Sequence, residues 1–214
     1  MTHPTTASFS EINSFISDGS VSSLGIGGCA CRVSIASSGD PLKIMAILGE
    51  VTTTQAELLG GVLGLAVLRV RKKEETLVAK WSCDCKTVID SANRLKNELD
   101  EPVVELQTDL VGQSSGLEAT WKLYQHASNK IEVIPVWSGE PQSLIDVDVV
   151  DKASRWASVD GEKLLRKWGE GPVGRLKYLN PTTAWVLVDL RFLSLEIDPR
   201  RAYEQLVARL DRVL

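Results

Sequence analysis

Four acidic residues sit where strand and helix patterns meet: Asp18 in "ISDGSVSSLGIGGCAC", Glu57 in "TTTQAELLG", Asp84 in "SCDCKTVID" and Asp151 in "VDKASRWAS". Each has an ordinary structural explanation. Asp18 precedes Gly19, and Asp-Gly opens many tight turns. Glu57 follows Thr54 by three residues, the spacing of a helix capping box. Asp84 stands between a strand-like and a helix-like run, where an N-cap is expected. Asp151 falls early in a helix, where it complements the helix dipole. Their joint placement suggests chemistry instead. If the first and fourth strands are neighbours, Asp18 and Asp84 meet in the crevice at the strand ends, with Glu57 and Asp151 approaching from helices. Carboxylates gathered this way raise one another's pKa unless cations bind between them. Oxygen-only ligation suits Mg2+ or Mn2+, which take their remaining ligands from water and phosphate.

The elements that must position these acids follow from periodicity. Residues 1–11 are a polar lead-in expected to be disordered. Strand patterns run over about 12–17, 26–36 and 42–51, the last two joined by "SSGDP", which reads as an antiparallel meander. Apolar positions from Leu58 to Leu68 fit a helix from Gln55 to about Val70, closed by "RVRKK". "TLVAKWSC" is a fourth strand, and Val88, Ala92, Leu95 and Leu99 mark one face of a second helix. A weaker helix spans about 109–127, with Leu117, Trp121 and Tyr124 inward, and "KIEVIPVW" is a fifth strand. Val147–Trp168 is helical. The order βββ-α-β-α-α-β-α predicts an α/β domain over 12–168 with a five-stranded mixed sheet, three antiparallel strands then two parallel, flanked by helices. Residues 169–214 read as a small C-terminal α+β extension. There "GEGPVG" is a linker or turn, "TTAWVLVDLRFLSLEI" supplies one or two strands, and Asp198 caps a final helix with Pro199 at its first position.

Bulk properties narrow the function classes. The chain has 214 residues, 43% hydrophobic and 24% charged, with a net charge of -4. That balance excludes gripping nucleic acid by bulk charge. No apolar run reaches membrane-span length and the N-terminus lacks a signal-peptide layout, so a cytoplasmic or nuclear setting is expected, not secretion. Cys29/Cys31 and Cys83/Cys85 form two Cys-x-Cys pairs. They could supply four thiolates to zinc, although the usual spacing is longer. On a strand, Cys29 and Cys31 share one face and act as small apolar residues. Trp81, Trp121, Trp137 and Trp156 fall within strands and helices, which favours core packing over base stacking.

The quoted segments, in their order and with the elements between them, resemble the ribonuclease H family, type 1, over about residues 12–160. That resemblance implies two-metal hydrolysis of the RNA strand of an RNA–DNA hybrid, with Mg2+ (two ions) or Mn2+ as substitute. It assigns Asp18, Glu57, Asp84 and Asp151 as catalytic metal ligands. Asp146, Asp148 and Asp151 compete for the fourth place, and a helix cannot turn all three inward. Asp151 is preferred because "DKAS" opens a small-and-apolar stretch, with Asp148 the runner-up. By motif position Gly19, Ser20, Thr54 and Gln55 would read the RNA 2′-hydroxyls, beside the Glu57 carboxylate, and Thr52 would meet a DNA-strand phosphate.

Three departures qualify the resemblance. Many members carry a histidine in the loop after the fifth strand, where this chain has Ser138. Its two histidines are His3 and His126, the latter most simply a partly exposed helix residue. The segment "NELDEPVVELQTD" is acidic where some members carry a basic protrusion. Basic residues instead cluster at Arg69–Lys73 and along Lys152–Lys167, where a helix C-terminus and a solvated helix face explain them as well. Two other readings stay open: a ribonuclease H-like nucleic-acid-binding or protein-docking module that cuts weakly or not at all, and a related nuclease acting on DNA. In either case the extension could bind a second copy of the chain or a protein partner.

Overall fold

The computed structural model describes residues 12–36, 38–72, 77–98, 115–139, 145–168, 173–176, 185–191 and 198–214. The order is β1 (Asn13–Val21), β2 (Ile26–Ser34), β3 (Leu42–Glu50), α1 (Thr53–Arg71), β4 (Leu77–Cys83), α2 (Lys86–Glu98), α3 (Ser115–Ser128), β5 (Ile131–Trp137), α4 (Ile145–Trp168), β6 (Val173–Leu176), β7 (Trp185–Asp189) and α5 (Pro199–Asp211). The strands form one mixed sheet in the order β5-β4-β1-β2-β3-β7-β6. The expected meander β1–β2–β3 is antiparallel, and β4 and β5 run parallel to β1 on its other side. Among the described residues the sheet has seven strands rather than five. β7 joins β3 in parallel and β6 closes that edge antiparallel to β7. Val173 and Gly174, expected in a linker, are therefore strand residues.

Two cores form because β2 and β3 are covered on both faces. Cys29, Cys31, Val33, Ile44, Ala46 and Leu48 face α1. Ala30, Met45 and Ile47 alternate with them and face α4. Strands buried on both sides read as unbroken apolar runs, which explains "GGCAC" and "IMAIL". The four cysteines are free, and Cys29, Cys31 and Cys83 are buried. α1 is apolar almost all round and buried along most of its length, as a helix enclosed by sheet and other helices must be. Its glycines permit that closeness: a Cβ on Gly61 would lie 2.4 Å from the Trp81 ring, and one on Gly64 2.3 Å from Phe15.

Several local expectations change. β1 continues past Asp18 to Val21, pairing as far as Val21↔Gly27. The turn lies at 22–25, where the Gly25 N–H meets the Ser22 carbonyl and Gly25 takes φ 79°. Asp18 is thus not a turn former. The capping box belongs to Thr52 and Gln55, not Thr54 and Glu57. On α3, Thr120, Leu123, Tyr124 and Ala127 are buried, while Leu117 and Trp121 are half-buried. Trp81 packs in the core as expected, but Trp137 and Trp156 are 49% and 41% exposed. Trp137 is the last residue of β5, and Trp156 lies on the outer face of α4. Leu99 and residues 109–114, included in the expected helices, lie outside the described residues, as do residues 1–11. No described helix is long and apolar enough to cross a membrane.

Candidate metal centre

The parallel β1–β4 ladder runs from Asn13↔Ala79 to Ile16↔Ser82. Asp18 and Asp84 each stand two residues beyond that last pair, which places both at the mouth of the cleft between neighbouring strands. α1 crosses β1 closely enough that a Cβ on Gly19 would fall 2.2 Å from the Glu57 nitrogen. Glycine at 19 therefore lets the Glu57 carboxylate reach β1. Glu57 Oε2 accepts the Gly19 N–H at 3.0 Å and the Cys83 thiol at 3.6 Å. One ligand atom each from Glu57, Cys83 and Asp84 lies within 4.8 Å of the others.

α4 approaches from the opposite face. The fully buried Ser154 hydroxyl contacts Asp18 Oδ2 and lies 2.9 Å from the Asp151 carbonyl oxygen, so it ties β1 to the turn of α4 that carries Asp151. One turn on, Ser158 stands 3.4 Å from Ser20. Gly28 on β2 makes room for this seam, since a Cβ there would sit 2.4 Å from the Ser158 nitrogen and 2.5 Å from the Ser154 oxygen.

The electrostatics record the crowding. Asp18 is pushed up to about 7, first by burial and then by the charges of Asp84 and Asp151, against the Ser154 hydrogen bond and Arg155, which pull it down. Burial, with Asp18 and Asp84 nearby, pushes Glu57 up to about 9, while Cys83 and the Gly19 N–H oppose the rise. Asp84 is raised by burial and by Asp151. The three candidates for the fourth acid differ in their partners. Asp146 pairs with Arg32 at 3.0 Å and Asp148 with Lys152 at 2.6 Å. Asp151 pairs with Arg155 at 2.9 Å, yet its charge is the one of the three felt at both Asp18 and Asp84.

The candidate substrate residues divide. Gly19 and Ser20 lie at the centre. Thr52 and Gln55 spend their side chains on the helix cap: Gln55 Oε1 accepts the Thr52 N–H at 2.8 Å, and Thr52 Oγ1 accepts the Gln55 N–H at 3.3 Å. Thr54 is half-buried in the first turn of α1. Ser138, just after β5, has a buried hydroxyl with no hydrogen-bond partner among the described residues. His126 lies instead against Tyr203, ring centroids 5.5 Å apart. Sequence reasoning missed Cys83 and Ser154. Ser154 and Ser158 had a signal, being polar residues three and seven positions after Asp151 on one helix face; Cys83 had none beyond adjacency to Asp84.

The donor set fits hard divalent cations: carboxylates from β1, α1 and the β4–α2 connection, joined by Asp151 from α4, whose charge acts at Asp18 and Asp84. Neither a protein-family profile nor a curated protein sequence matches the chain. Solved structures do. LC9-RNase H1, a type 1 RNase H with the type 2 active-site motif, aligns with a TM-score of 0.54 at 15% identity over 69% of this chain and 72% of that one. The foamy viral protease-reverse transcriptase in complex with RNA/DNA hybrid aligns with a TM-score of 0.53 at 15% identity, over 74% of this chain and 21% of that longer one. Its counterpart in complex with dsDNA gives a TM-score of 0.50 at 17% identity, over 70% of this chain. The likeness lies in the backbone far more than in the residues, and by it the chain has a ribonuclease H-like fold.

Proposed function

We propose that this protein is a divalent-metal-dependent endonuclease that hydrolyses the RNA strand of RNA–DNA hybrids. The observation that carries the reading is the convergence of Asp18 on β1, Glu57 on α1 and Asp84 just past the end of β4, each raised by burial and by nearby acids: Asp84 and Asp151 at Asp18, Asp18 and Asp84 at Glu57, and Asp151 at Asp84. Leaving buried carboxylates uncompensated is costly, and such clusters concentrate at working sites. Asp18, Glu57, Asp84 and Asp151 would hold two Mg2+ ions, with Mn2+ as substitute. When bound, such ions neutralise charge on a scissile phosphate and lower the pKa of the attacking water.

The chain's own residues supply the arrangement. Ser154 orients the Asp18 carboxylate, and the Gly19 N–H orients Glu57. Gly19 and Ser20, on the strand that carries Asp18, border the place a ribose 2′-hydroxyl would take, and Thr54 lies on the adjoining turn of α1. Thr52 and Gln55 close the cap of that turn as acceptors, which leaves the Thr52 hydroxyl hydrogen for a DNA-strand phosphate and the Gln55 amide hydrogens for a 2′-hydroxyl. The α4 cations Lys152, Arg155, Lys163 and Arg166 each pair with an acid on the same helix, so hybrid binding should be weak and salt-sensitive.

The test is cleavage of a labelled RNA–DNA hybrid in Mg2+, in Mn2+ and in chelator, with double-stranded DNA and RNA as controls. Metal-dependent cutting of the RNA strand is expected, reduced by about 100-fold or more in Asp18→Asn and Asp84→Asn. A folded protein that cuts in neither metal would sink the nuclease reading in favour of a binding module. Cutting of double-stranded DNA instead would redirect it to a DNA nuclease.

A further inference from the structure

The β5 strand ends on an indole that the proposed chemistry does not use. Trp137 is about half exposed, unusual for the largest apolar side chain, and two contacts hold it in place. Its Nε1–H donates to the main-chain oxygen of Asp84 at 2.9 Å. The Lys86 ammonium lies 5.6 Å from the ring centroid, within cation–π range. The neighbouring backbone is also tied: Trp137 pairs with Cys83 in the β4–β5 ladder, and the Ser138 N–H donates to the Cys83 carbonyl at 3.0 Å. Asp84 itself belongs to neither element, since β4 ends at Cys83 and α2 begins at Lys86. The Asp84–Cys85 peptide is held at both ends, its N–H meeting Cys83 Sγ at 3.4 Å and its carbonyl accepting from Trp137, and its orientation sets where the Asp84 side chain leaves the backbone.

We propose that Trp137 is a positioning residue for Asp84, its indole N–H fixing the Asp84 peptide so that the carboxylate points toward Asp18 and Asp151, with Lys86 steadying the ring. This inference rests on the metal-centre reading above. Stacking against a substrate base is the other use of an exposed indole. The geometry favours positioning, because the N–H is aimed at the acid-bearing connection and a cation already lies over the ring.

The experiment measures Mn2+ binding by the full chain, from the electron paramagnetic resonance signal of free Mn2+, and so does not depend on turnover. The variants are Trp137→Phe, replacement of Trp137 by its benzothienyl isostere (sulfur for N–H, shape preserved) and Lys86→Met. Loss of the N–H should raise the Mn2+ dissociation constant about 3- to 10-fold in both ring variants, the effect of one hydrogen bond. Lys86→Met should raise it about 2-fold. Metal-free Tm should stay within about 2 °C, and KM for the hybrid should not change. Wild-type Mn2+ affinity in both ring variants would overturn the inference while leaving the metal centre standing. A raised KM with unchanged Mn2+ binding would also overturn it, making Trp137 a substrate contact. A wild-type chain that binds no Mn2+ would instead remove the metal centre, and this inference with it.

Discussion

Glu57 accepts two hydrogen bonds on one oxygen, and its carboxyl is still pushed up to about 9, because burial outweighs both donors. Asp18 is pushed up to about 7 although Ser154 bonds it. Both groups hold protons in the metal-free folded chain at pH values where the unfolded chain has lost them. Folded pKa values above the unfolded ones mean stability that is full below about pH 4 and is lost as pH rises toward 7 for Asp18 and 9 for Glu57. The metal-free protein should therefore melt progressively lower between pH 5 and pH 9 by calorimetry in chelator, with other titrations taken as a smaller background. Glu57→Gln removes the charge and keeps an acceptor for the Gly19 N–H. It should raise the metal-free Tm at pH 8 by several degrees, at about 2–4 °C per kcal/mol for a chain of this size, and should abolish most of the stabilisation that Mg2+ confers on the wild type. A Glu57→Gln protein less stable than wild type at pH 8 would contradict the burial argument.

At the scale of elements, the centre depends on how closely two helices approach the sheet. α1 settles on β1 because Gly19 and Gly64 carry no Cβ at the contacts, and against Trp81 of β4 because Gly61 carries none; α4 settles on β2 because Gly28 does not. The Gly28 neighbours are backbone atoms of α4, which cannot rotate away as a side chain can. Gly28→Ala should lift α4 from the sheet at the turn that carries Ser154 and bring Asp151 out of register with Asp18. The expected cost is about 2 kcal/mol or more in urea unfolding, with hybrid cleavage falling further than stability alone explains. Gly39, whose added Cβ meets nothing within 4 Å, is the matched control, and its alanine variant should be near neutral. Equal losses in the two variants would show that close packing at Gly28 is not what matters. Pro135, which pairs with Trp81, is tolerated because β5 is the edge strand.

Over the whole molecule, the described C-terminal elements β7 and α5 are built into the same body as the candidate metal centre. β7 pairs with β3, and α5 buries Ala202, Leu206 and Leu210 in the core shared with α1 and α3. The edge that β3 would otherwise expose is thereby covered, which removes a template for unwanted strand pairing. Leu210→Ala, at a position with no solvent exposure, should cost about 2–4 kcal/mol. The loss should appear as one earlier transition seen alike by far-ultraviolet and tryptophan signals, since Trp81 and Trp185 lie on opposite sides of the sheet. Two separate transitions, the first confined to the C-terminal elements, would mean that the extension unfolds independently.

What the amino-acid order determined by itself was local and periodic. Alternation marked the strands, the 3.6-residue period marked the helices, and Asp198-Pro199 marked the start of α5, because each is dictated by backbone geometry within a few residues. The four candidate acids drew notice because their spacing along the chain follows the element order: Asp18 within β1, Glu57 in the second turn of α1, Asp84 just past β4 and Asp151 in the second turn of α4. Tertiary structure alone decided the rest. Whether Asp18 ended a strand depended on how far β2 continued to pair with it. Which of Asp146, Asp148 and Asp151 acts on Asp18 and Asp84 depended on which face of α4 met β1. The contributions of Ser154, Cys83 and Trp137 depended on neighbours 136, 26 and 53 residues away in sequence. Periodicity carries no information over such separations; only packing brings those groups together.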